Sequence, residues 1–278
     1  MPERSSAYVY GAGKVGRALS DALRRARWRV TLRAARQGFP KKPIDADVVV
    51  LALRDRDLAP AVERLVASRG VSRRAVVVHV AGALDEKVLA PLRAICAGVA
   101  QMHPMISFAS RTFFPTLARG NVRIQGDRVA AMRAKKLARA LGMTPRHFPK
   151  LDTVGYHAAA ALLANGAAAL AAQAERVLLA SHVPPRDAPR LLGPLLRSVA
   201  ENVEHLGFPE SLTGPVRRGD AAAVERGAKT LEARAPDAVQ LYRAAVLAQV
   251  PLARALGEVP ASALDAIEAF AAREPPTK

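Results

Sequence analysis

The sequence predicts two consecutive domains: an α/β domain with a mostly parallel, doubly wound sheet over residues 1–150, then an all-α domain over residues 151–278. Three observations lead to this fold class. Short apolar runs alternate with helical segments in the first part, which is typical of βαβ units. A glycine-rich turn joins the first apolar run to the first helical segment. Strand signals stop near Asp152, and helical segments then follow one another.

The composition limits the classes of function. Half of the 278 residues are hydrophobic, which is enough to bury a sizeable core. The 42 Lys and Arg residues exceed the 24 Asp and Glu residues, and the net charge is +18. The basic residues are scattered, and aromatic residues make up only 4%, which leaves little for base stacking. We therefore expect a small anionic ligand, rather than a nucleic acid, to benefit from the charge.

Three further features concern the cellular environment. The single cysteine, Cys96, lies in the apolar segment RAICAGV, which predicts a buried small residue rather than a reactive thiol. The N-terminal residues lack the basic and then apolar order of a secretory signal. The most apolar tract, Ala158–Ala172, is interrupted by Asn165 and Gly166, and we expect it to be too short to span a bilayer. We predict a cytoplasmic protein with no membrane partner and no metal site.

The segment AYVYGAGKVGRALSDALRRARWRVTL predicts the first βαβ unit. Ala7–Tyr10 and Arg29–Leu32 are short β-type runs, and the apolar residues between them recur at helical spacing. The pattern G-x-G-x-x-G follows the first strand and opens the helix, a context that favours a dinucleotide site over a turn without a ligand. Gly11 allows the tight turn, Gly13 lets the backbone approach a pyrophosphate, and Gly16 lets the helix pack on the strand.

The end of the second strand predicts the form of the cofactor. NAD sites usually place Asp or Glu there to bind the ribose 2′-hydroxyl. Here the segment LRAARQGFPKK is basic, with no acid before Asp45. A guanidinium pairs with a 2′-phosphate in a forked geometry, so Arg33 as first contact and Arg36 as second predict NADP rather than NAD. The predicted cofactor-binding residues here are Gly11, Ala12, Gly13, Lys14, Val15, Gly16, Arg33 and Arg36.

Further apolar runs predict the rest of the sheet. We interpret ADVVVLALRDRDL, RAVVVHVAGAL and GVAQM as the third, fourth and fifth strands, and GNVRIQGD as the sixth. The carboxyl ends of parallel strands meet at one edge, where ligands bind in open α/β sheets. We therefore add Leu53, Arg54 and Ala81 to the predicted cofactor contacts. We expect the fifth strand to deliver His103 to this edge, and Pro104 to turn the chain out of the sheet behind it.

The second half has helical composition. TVGYHAAAALLANGAAALAAQAERVLLAS contains no helix breaker except Gly166, and RDAPRLLGPLLRSVAENVEHLG contains a Gly-Pro interruption. Long Ala-rich helices permit close packing, and we expect them to pack against a second subunit. The segment LGFPESLTGPVRRGD breaks the helical pattern, so we expect it to be a functional loop whose Asp220 caps the next helix.

The segments GAGKVG, HPMISF, YHAAAALLANGAAAL, LLGPLLRSVAENVEHLG and LTGPVRRGDAAAV resemble Rossmann-like oxidoreductase homologues whose C-terminal half is the domain of unknown function 2520. The resemblance covers nearly the whole chain. These homologues are similar to the β-hydroxyacid dehydrogenase group, which includes ketopantoate reductase, pyrroline-carboxylate reductase and 6-phosphogluconate dehydrogenase. The resemblance implies NADP-linked redox chemistry on a small molecule, and a homodimer.

One departure from that group concerns the proton donor. The group usually carries a lysine four residues before an asparagine on the first long helix, whereas here Ala161 precedes Asn165 at that spacing. The candidate donors are therefore His103, His157 and Tyr156, and an imidazole has a pKa near operating pH. His157 can share a broad helix face with Asn165. Each histidine could instead make only structural hydrogen bonds.

The resemblance also assigns Thr213 and Arg218 in the loop to the site. Arg218 could bind a substrate carboxylate through two parallel hydrogen bonds, or remain on the surface. The predicted catalytic residues are then His103, His157, Asn165, Thr213 and Arg218. The predicted reaction is hydride transfer between NADPH and a small, anionic carbonyl, imine or hydroxy-acid substrate. A prephenate-type dehydrogenase, which also has HPM after a comparable strand, and a non-catalytic NADP-binding sensor are the alternatives.

Overall fold

A computed structural model describes residues 4–273 and contains a seven-stranded sheet in the order β2-β1-β3-β4-β5-β6-β7. The pairs among β1 to β5 are parallel, β6 is antiparallel to β5, and β7 is parallel to β6. The predicted α/β class with a mostly parallel sheet is confirmed. The strands are β1 Ser6–Tyr10, β2 Arg29–Arg33, β3 Val48–Leu51, β4 Val76–His79, β5 Gly98–Pro104, β6 Asn121–Gly126 and β7 Thr144–Arg146.

Helices cover both faces of this sheet, as its crossover connections require. The helices of this part are α1 Lys14–Arg25, α2 Asp55–Ala67 and α3 Arg128–Ala140, with 3-10 helices at Ala35–Gln37 and Glu86–Ala94. One apolar cluster joins the sheet to α1 and α3, and the other joins it to α2 and Glu86–Ala94. All four residues of β3 and all four of β4 are buried, which explains their continuous runs of apolar residues.

The chain divides into two compact units, Met1–Ala164 and Asn165–Lys278. The expected domain boundary, after residue 150, lies between the last strand and the helix Thr153–Ala180. The two compact units instead divide inside that helix, after Ala164. The helices from this point on are α4 Thr153–Ala180, α5 Ala188–Leu206, α6 Ala221–Arg234, α7 Val239–Leu256 and α8 Ala261–Ala271, with a 3-10 helix at Pro236–Ala238. The predicted all-α second part is confirmed.

The core of the second unit is built by α6, α7 and α8 together with the loop before them. Its buried members are Val216, Val224, Val246, Val250, Ala253, Leu264, Ile267 and Ala271. In contrast, α4 has no buried residue and α5 buries only Ala188. In the described residues of this chain, α4 and α5 therefore bury almost none of their side chains.

Two expected helix interruptions are absent from the structure. Gly166 lies inside α4, and Gly193 with Pro194 lies inside α5, yet both helices are continuous. The neighbouring Ala and Leu residues are strong helix formers, and a single glycine costs only about 1 kcal/mol relative to alanine. Proline inside a helix removes one hydrogen bond and can kink the helix, but α5 continues past Pro194.

Two expectations about individual segments need correction. Cys96 is half-buried rather than buried, with its Sγ 3.4 Å from the carbonyl oxygen of Gly98, and burial raises the pKa of its thiol. The apolar tract expected to be too short for a bilayer belongs to the 28-residue helix α4. By length and composition alone, α4 could cross a membrane, with a mean hydropathy of 1.3 in its most apolar window. A single helix of this kind is weak evidence for a membrane span.

Candidate functional site

The glycine-rich turn has the geometry that its sequence predicts. Gly11 is buried at φ 116°, and a Cβ there would lie 2.8 Å from the carbonyl carbon of Ala52, on the neighbouring strand connection. A Cβ on Gly16 would meet the carbonyl of Gly11 and lie 3.2 Å from Cβ of Ala52. Gly13 precedes the first residue of α1, and nothing lies within 4 Å of the Cβ that it lacks. The first turn of α1 is therefore open to a ligand. The helix dipole would favour an anionic ligand at this position.

The two arginines expected to read a 2′-phosphate have different surroundings. Arg33 is half-buried, and its Nε and one terminal nitrogen donate to the carbonyls of Gly38 (2.6 Å) and Gln37 (2.9 Å). These bonds hold the turn after β2 in place. Arg36 lies on that turn, in the 3-10 helix Ala35–Gln37, and its side chain is exposed. Arg33 thus bonds to the turn, whereas the Arg36 side chain is accessible to a ligand.

A cavity opens beside this turn, at the carboxyl ends of β1 and β3. Its wall is stiffened by Tyr10, whose ring stacks on Phe39 at 4.0 Å between centroids and whose hydroxyl donates to the carbonyl of Ala35 (3.0 Å). Arg54, the other residue expected here, is exposed and immediately precedes α2. The residues that line the cavity are Tyr10, Ala35, Leu53, Asp57, Pro60 and Arg64.

The second part of the site is a buried polar patch on three central strands. In the sheet register His79 pairs with Gln101, and His103 pairs with Arg123, so their side chains share the face covered by α2. All four are buried, although polar side chains are rarely enclosed without partners. Pro104 was expected to turn the chain out of the sheet, but it still pairs with Val122 as the last residue of β5.

His103 reaches the carboxyl edge of the sheet, as predicted, and meets the first turns of α4. Its ring centroid lies 5.8 Å from those of His157 and Tyr156, with interplanar angles of 66° and 79°. Both imidazoles converge on Gly82 in the loop after β4. A Cβ there would lie 2.7 Å from Nε2 of His103 and 2.9 Å from Cε1 of His157. Only glycine at this position leaves room for both rings.

The protonation of His103 differs from the expectation of an ordinary imidazole. Burial, followed by the neighbouring His157, Arg123 and His79, lowers the pKa of His103 to about 4. His103 is therefore neutral at pH 7, and it can accept or donate a hydrogen bond but holds no proton to release as an imidazolium. Burial also raises the pKa of the Tyr156 hydroxyl, which donates to Sδ of Met105 (3.5 Å).

The other predicted catalytic residues belong to the second unit, Asn165–Lys278. Asn165, Thr213 and Arg218 are all exposed. In the same loop Arg217, rather than Arg218, is structural, since it pairs with Glu258 (2.6 Å) and donates to two loop carbonyls. The expected cap is present, with the Asp220 carboxylate accepting a bond from the backbone N–H of Ala223 (2.9 Å). Within residues 4–273, no cluster of His, Cys, Asp and Glu could hold a metal ion.

Three of the four residues of the patch, His79, Gln101 and Arg123, were not predicted from the sequence, nor was Gly82 beside it. Two of these residues carried a signal in the sequence. Gln101 interrupts the apolar run GVAQM, and Arg123 interrupts NVRIQ, in strands that should be buried on both faces. A polar residue in such a strand needs a partner, and here the two are each other's partner.

Comparison with known proteins agrees with this architecture. A Rossmann-like domain matches residues 1–104, which contain the glycine-rich turn and β1 to β5. A second match, the domain of unknown function DUF2520, spans residues 121–249. The chain is thus a Rossmann-like protein with a helical C-terminal half. More particularly, it carries the DUF2520 domain, as its sequence resemblance implied.

Solved structures share the fold at low sequence identity. Protein BF3122 of Bacteroides fragilis, named as a candidate NADP oxidoreductase, is 21% identical with a TM-score of 0.67, and the match covers 92% of this chain and 99% of that one. Protein TM1727 of Thermotoga maritima is 24% identical with a TM-score of 0.63, covering 91% and 100%. Plasmodium falciparum pyrroline carboxylate reductase with NADP bound is 11% identical with a TM-score of 0.58, covering 96% and 100%. No curated protein matches the sequence.

The depressed pKa of His103 makes stability depend on pH in a defined direction. The unfolded side chain takes up a proton near pH 6.5, whereas the folded one does so only near pH 4, so the unfolded state binds more protons between these values. The free energy of unfolding should fall by about 2–3 kcal/mol as the pH is lowered through this window, and stay reduced below it.

Urea unfolding at several pH values, compared between the wild type and His103→Gln, isolates this effect because all other groups titrate in both proteins. The wild type should lose stability more steeply than the variant between about pH 6.5 and pH 4. Parallel stability curves for the two proteins would show that His103 has an ordinary pKa.

Proposed function

We propose that the protein is an NADP-dependent reductase that transfers hydride to the C=N bond of a small substrate. The observation that carries this proposal is the pairing of two features at the carboxyl edge of one sheet. The first is the open glycine-rich turn at the start of α1, and the second is the group formed by His103, His157 and Tyr156. In open α/β sheets this edge binds a dinucleotide along its length.

The cofactor would be held by groups that the structure leaves accessible. The backbone N–H groups at the start of α1, next to Gly13, would bind the pyrophosphate. The cavity beside Tyr10 and Leu53 would take the adenosine, and the loop that carries Ala81 would contact the nicotinamide end. Arg36 would bind the 2′-phosphate, since its side chain is exposed while that of Arg33 is bonded to the turn.

The side chains around His103 favour one substrate class. The bound reduced nicotinamide would supply a hydride. Reduction of a carbonyl also requires a proton on oxygen, but His103 is neutral and alanine stands at position 161, where related dehydrogenases carry a lysine. An imine that arrives protonated already carries that proton, and the neutral imidazole would only need to accept its N–H. The fold shared with pyrroline carboxylate reductase, whose substrate is a cyclic imine, supports this assignment.

The remaining predicted residues fit the same proposal. His157 and Tyr156 would line the substrate position beside His103. Asn165, Thr213 and Arg218 belong to the second unit and stay predictions from the sequence, in which Arg218 would bind a carboxylate on the substrate. A carboxylate would also explain how a basic protein attracts its substrate.

The reaction is tested by NADPH consumption with matched panels of cyclic imines and 2-oxo acids. We expect turnover of an imine and little turnover of the oxo acids. His103→Ala should reduce the turnover number by about 10²-fold or more through loss of substrate orientation, while NADPH affinity stays nearly unchanged. His205→Ala is the matched control, because that exposed imidazole bonds the carbonyl of Glu201 on its own helix.

Each other outcome points to a different function. Turnover of 2-oxo acids alone would replace the imine assignment, and NADP reduction by prephenate would support the dehydrogenase alternative. Tight NADPH binding without turnover of either panel would favour the non-catalytic sensor.

Cofactor preference is tested separately by fluorescence titration with NADPH and NADH. Arg36→Ala should weaken NADPH binding by about 1.5–3 kcal/mol, the range for a hydrogen bond to a charged group, and leave NADH binding nearly unchanged. Arg33→Ala should weaken both cofactors, because it releases the turn rather than one phosphate contact. Equal affinities of the wild type for NADPH and NADH would contradict the assignment of NADP.

We further propose that the working form is a cytoplasmic homodimer assembled through α5 and the exposed part of α4. Leucines and valines recur every fourth residue along α5 and are 36–59% exposed, at Leu191, Leu195, Val199 and Val203. Such a continuous apolar stripe is typical of a helix that packs against a partner. A second copy would supply the same stripe, as a two-fold interface requires.

Light scattering in detergent-free buffer should give about twice the mass of 29.5 kDa. Leu195→Glu should shift the protein towards the monomer, because it would bury a charge in the interface. Arg197→Glu is the control, since position 197 lies on the opposite side of α5 from the stripe. A monodisperse monomer would contradict the dimer, and a requirement for detergent would indicate a membrane instead.

A further inference from the structure

We propose that Gln101 and Arg123 are positioning residues that fix the loop Ala81–Leu84, against which the two imidazoles of the site pack. The inference rests on the proposed function, because it assigns this loop to the reacting end of the cofactor. Neither residue lies at the surface, so each would act on the reaction only through other groups.

The burial of Arg123 calls for an explanation. Its side chain is 4% exposed, one terminal nitrogen donates to Oε1 of Gln101, and its buried Nε has no hydrogen-bond partner within residues 4–273. No carboxylate of the described chain forms an ion pair with it. Enclosing a guanidinium in this way costs several kcal/mol, and an apolar side chain on β6 would be less costly. Stability alone therefore does not account for an arginine at this position.

The guanidinium determines how the Gln101 amide is oriented. A guanidinium has only donors, so the amide oxygen must face Arg123, and the amide nitrogen must point the other way. That nitrogen donates to the carbonyls of Ala81 (2.9 Å) and Leu84 (2.5 Å). Arg123 thus leaves Gln101 one orientation, in which both of its N–H groups bind the loop.

His79 holds the same loop from the other side. Its Nδ1 accepts the backbone N–H of Ala81 (3.2 Å), and its Nε2 must carry a hydrogen because it faces the carbonyl of Asp85 (3.0 Å). Burial lowers the pKa of His79, which keeps the imidazole in this neutral form. Both backbone polar groups of Ala81 are therefore bonded to buried side chains, one on β4 and one on β5.

We call these bonds from His79 and Gln101 to the loop the clamp, and it determines where the imidazoles lie. Gly82 follows Ala81 directly, and His103 and His157 both pack on its backbone. A shift of the loop would move the two rings together with the backbone that faces the cofactor. The groups that surround His103 are His79 on β4, Arg123 on β6, and His157 with Tyr156 on α4, none of them a carboxylate. The same arginine thereby also favours the neutral form of His103.

Gln101→Glu separates positioning from folding. The carboxylate would keep an acceptor for Arg123 and convert that contact into an ion pair, but it would lose both donors to the loop. We expect amide exchange in residues 80–85 to become about tenfold faster or more, while exchange elsewhere in the sheet is unchanged. We also expect a turnover number at least tenfold lower, with a smaller change in KM.

The matched control is Gln249→Glu, which also removes one amide bond to a backbone carbonyl, that of Ala245 on α7. It should alter neither the loop nor turnover. Arg123→Met should reproduce the faster exchange of the loop, because the Gln101 amide would then be free to flip. Arg123→Lys should partly restore loop protection, since it retains a donor for the glutamine oxygen. If Arg123→Met fails to fold, Gln101→Glu and Arg123→Lys still decide the question.

Exchange is measured on the protein without cofactor, so the clamp can fail independently of the proposed function. Unchanged loop protection in Gln101→Glu would overturn the proposal, even if NADPH is bound and turned over. Equal loss of protection throughout the sheet would also overturn it, because the residues would then be structural. If the wild type neither binds nor oxidises NADPH, the proposed function falls, and loss of loop protection would show only a clamp without a role in catalysis.

Discussion

Burial of the sheet on both faces is the constraint on which the candidate site depends. With helices on each face, a polar side chain in a central strand cannot reach water and must find its partner within the layer. His79 and Gln101 meet this requirement by bonding to the loop after β4, whereas Arg123 meets it only in part, through one terminal nitrogen that donates to Gln101. We propose that these bonds fix the loop after β4 at the carboxyl edge of the sheet.

The same burial decides the chemistry available at that edge. An exposed histidine would exchange protons near neutral pH, but enclosure beside Arg123 and two further imidazoles keeps His103 uncharged. A site of this kind can orient a substrate, yet His103 itself holds no imidazolium proton to release at pH 7. The proposed reduction of a protonated imine needs no proton from His103, because that substrate brings its own.

In the second part of the chain, two helices leave apolar side chains exposed instead of burying polar ones. Its core is formed by α6, α7 and α8, while α4 and α5 expose apolar side chains that nothing in the described chain covers. Long helices gain most of their stability from packing an apolar face rather than from intrinsic propensity. In the proposed dimer, a second copy would cover the exposed apolar side chains of these two helices.

The sequence by itself determined the α/β class, the helical second half and the roles of Gly11 and Gly16, because glycine spacing and hydrophobic periodicity are local signals. It also placed His103 at the strand end and Asp220 at a helix start. Only the tertiary structure decided that Arg33 is bonded to its own turn, that His103 is neutral, and that Gly82 lies between two imidazoles. Those properties depend on residues distant in sequence, such as the pairing of His103 with Arg123 across two strands, and no local pattern specifies which groups burial brings together.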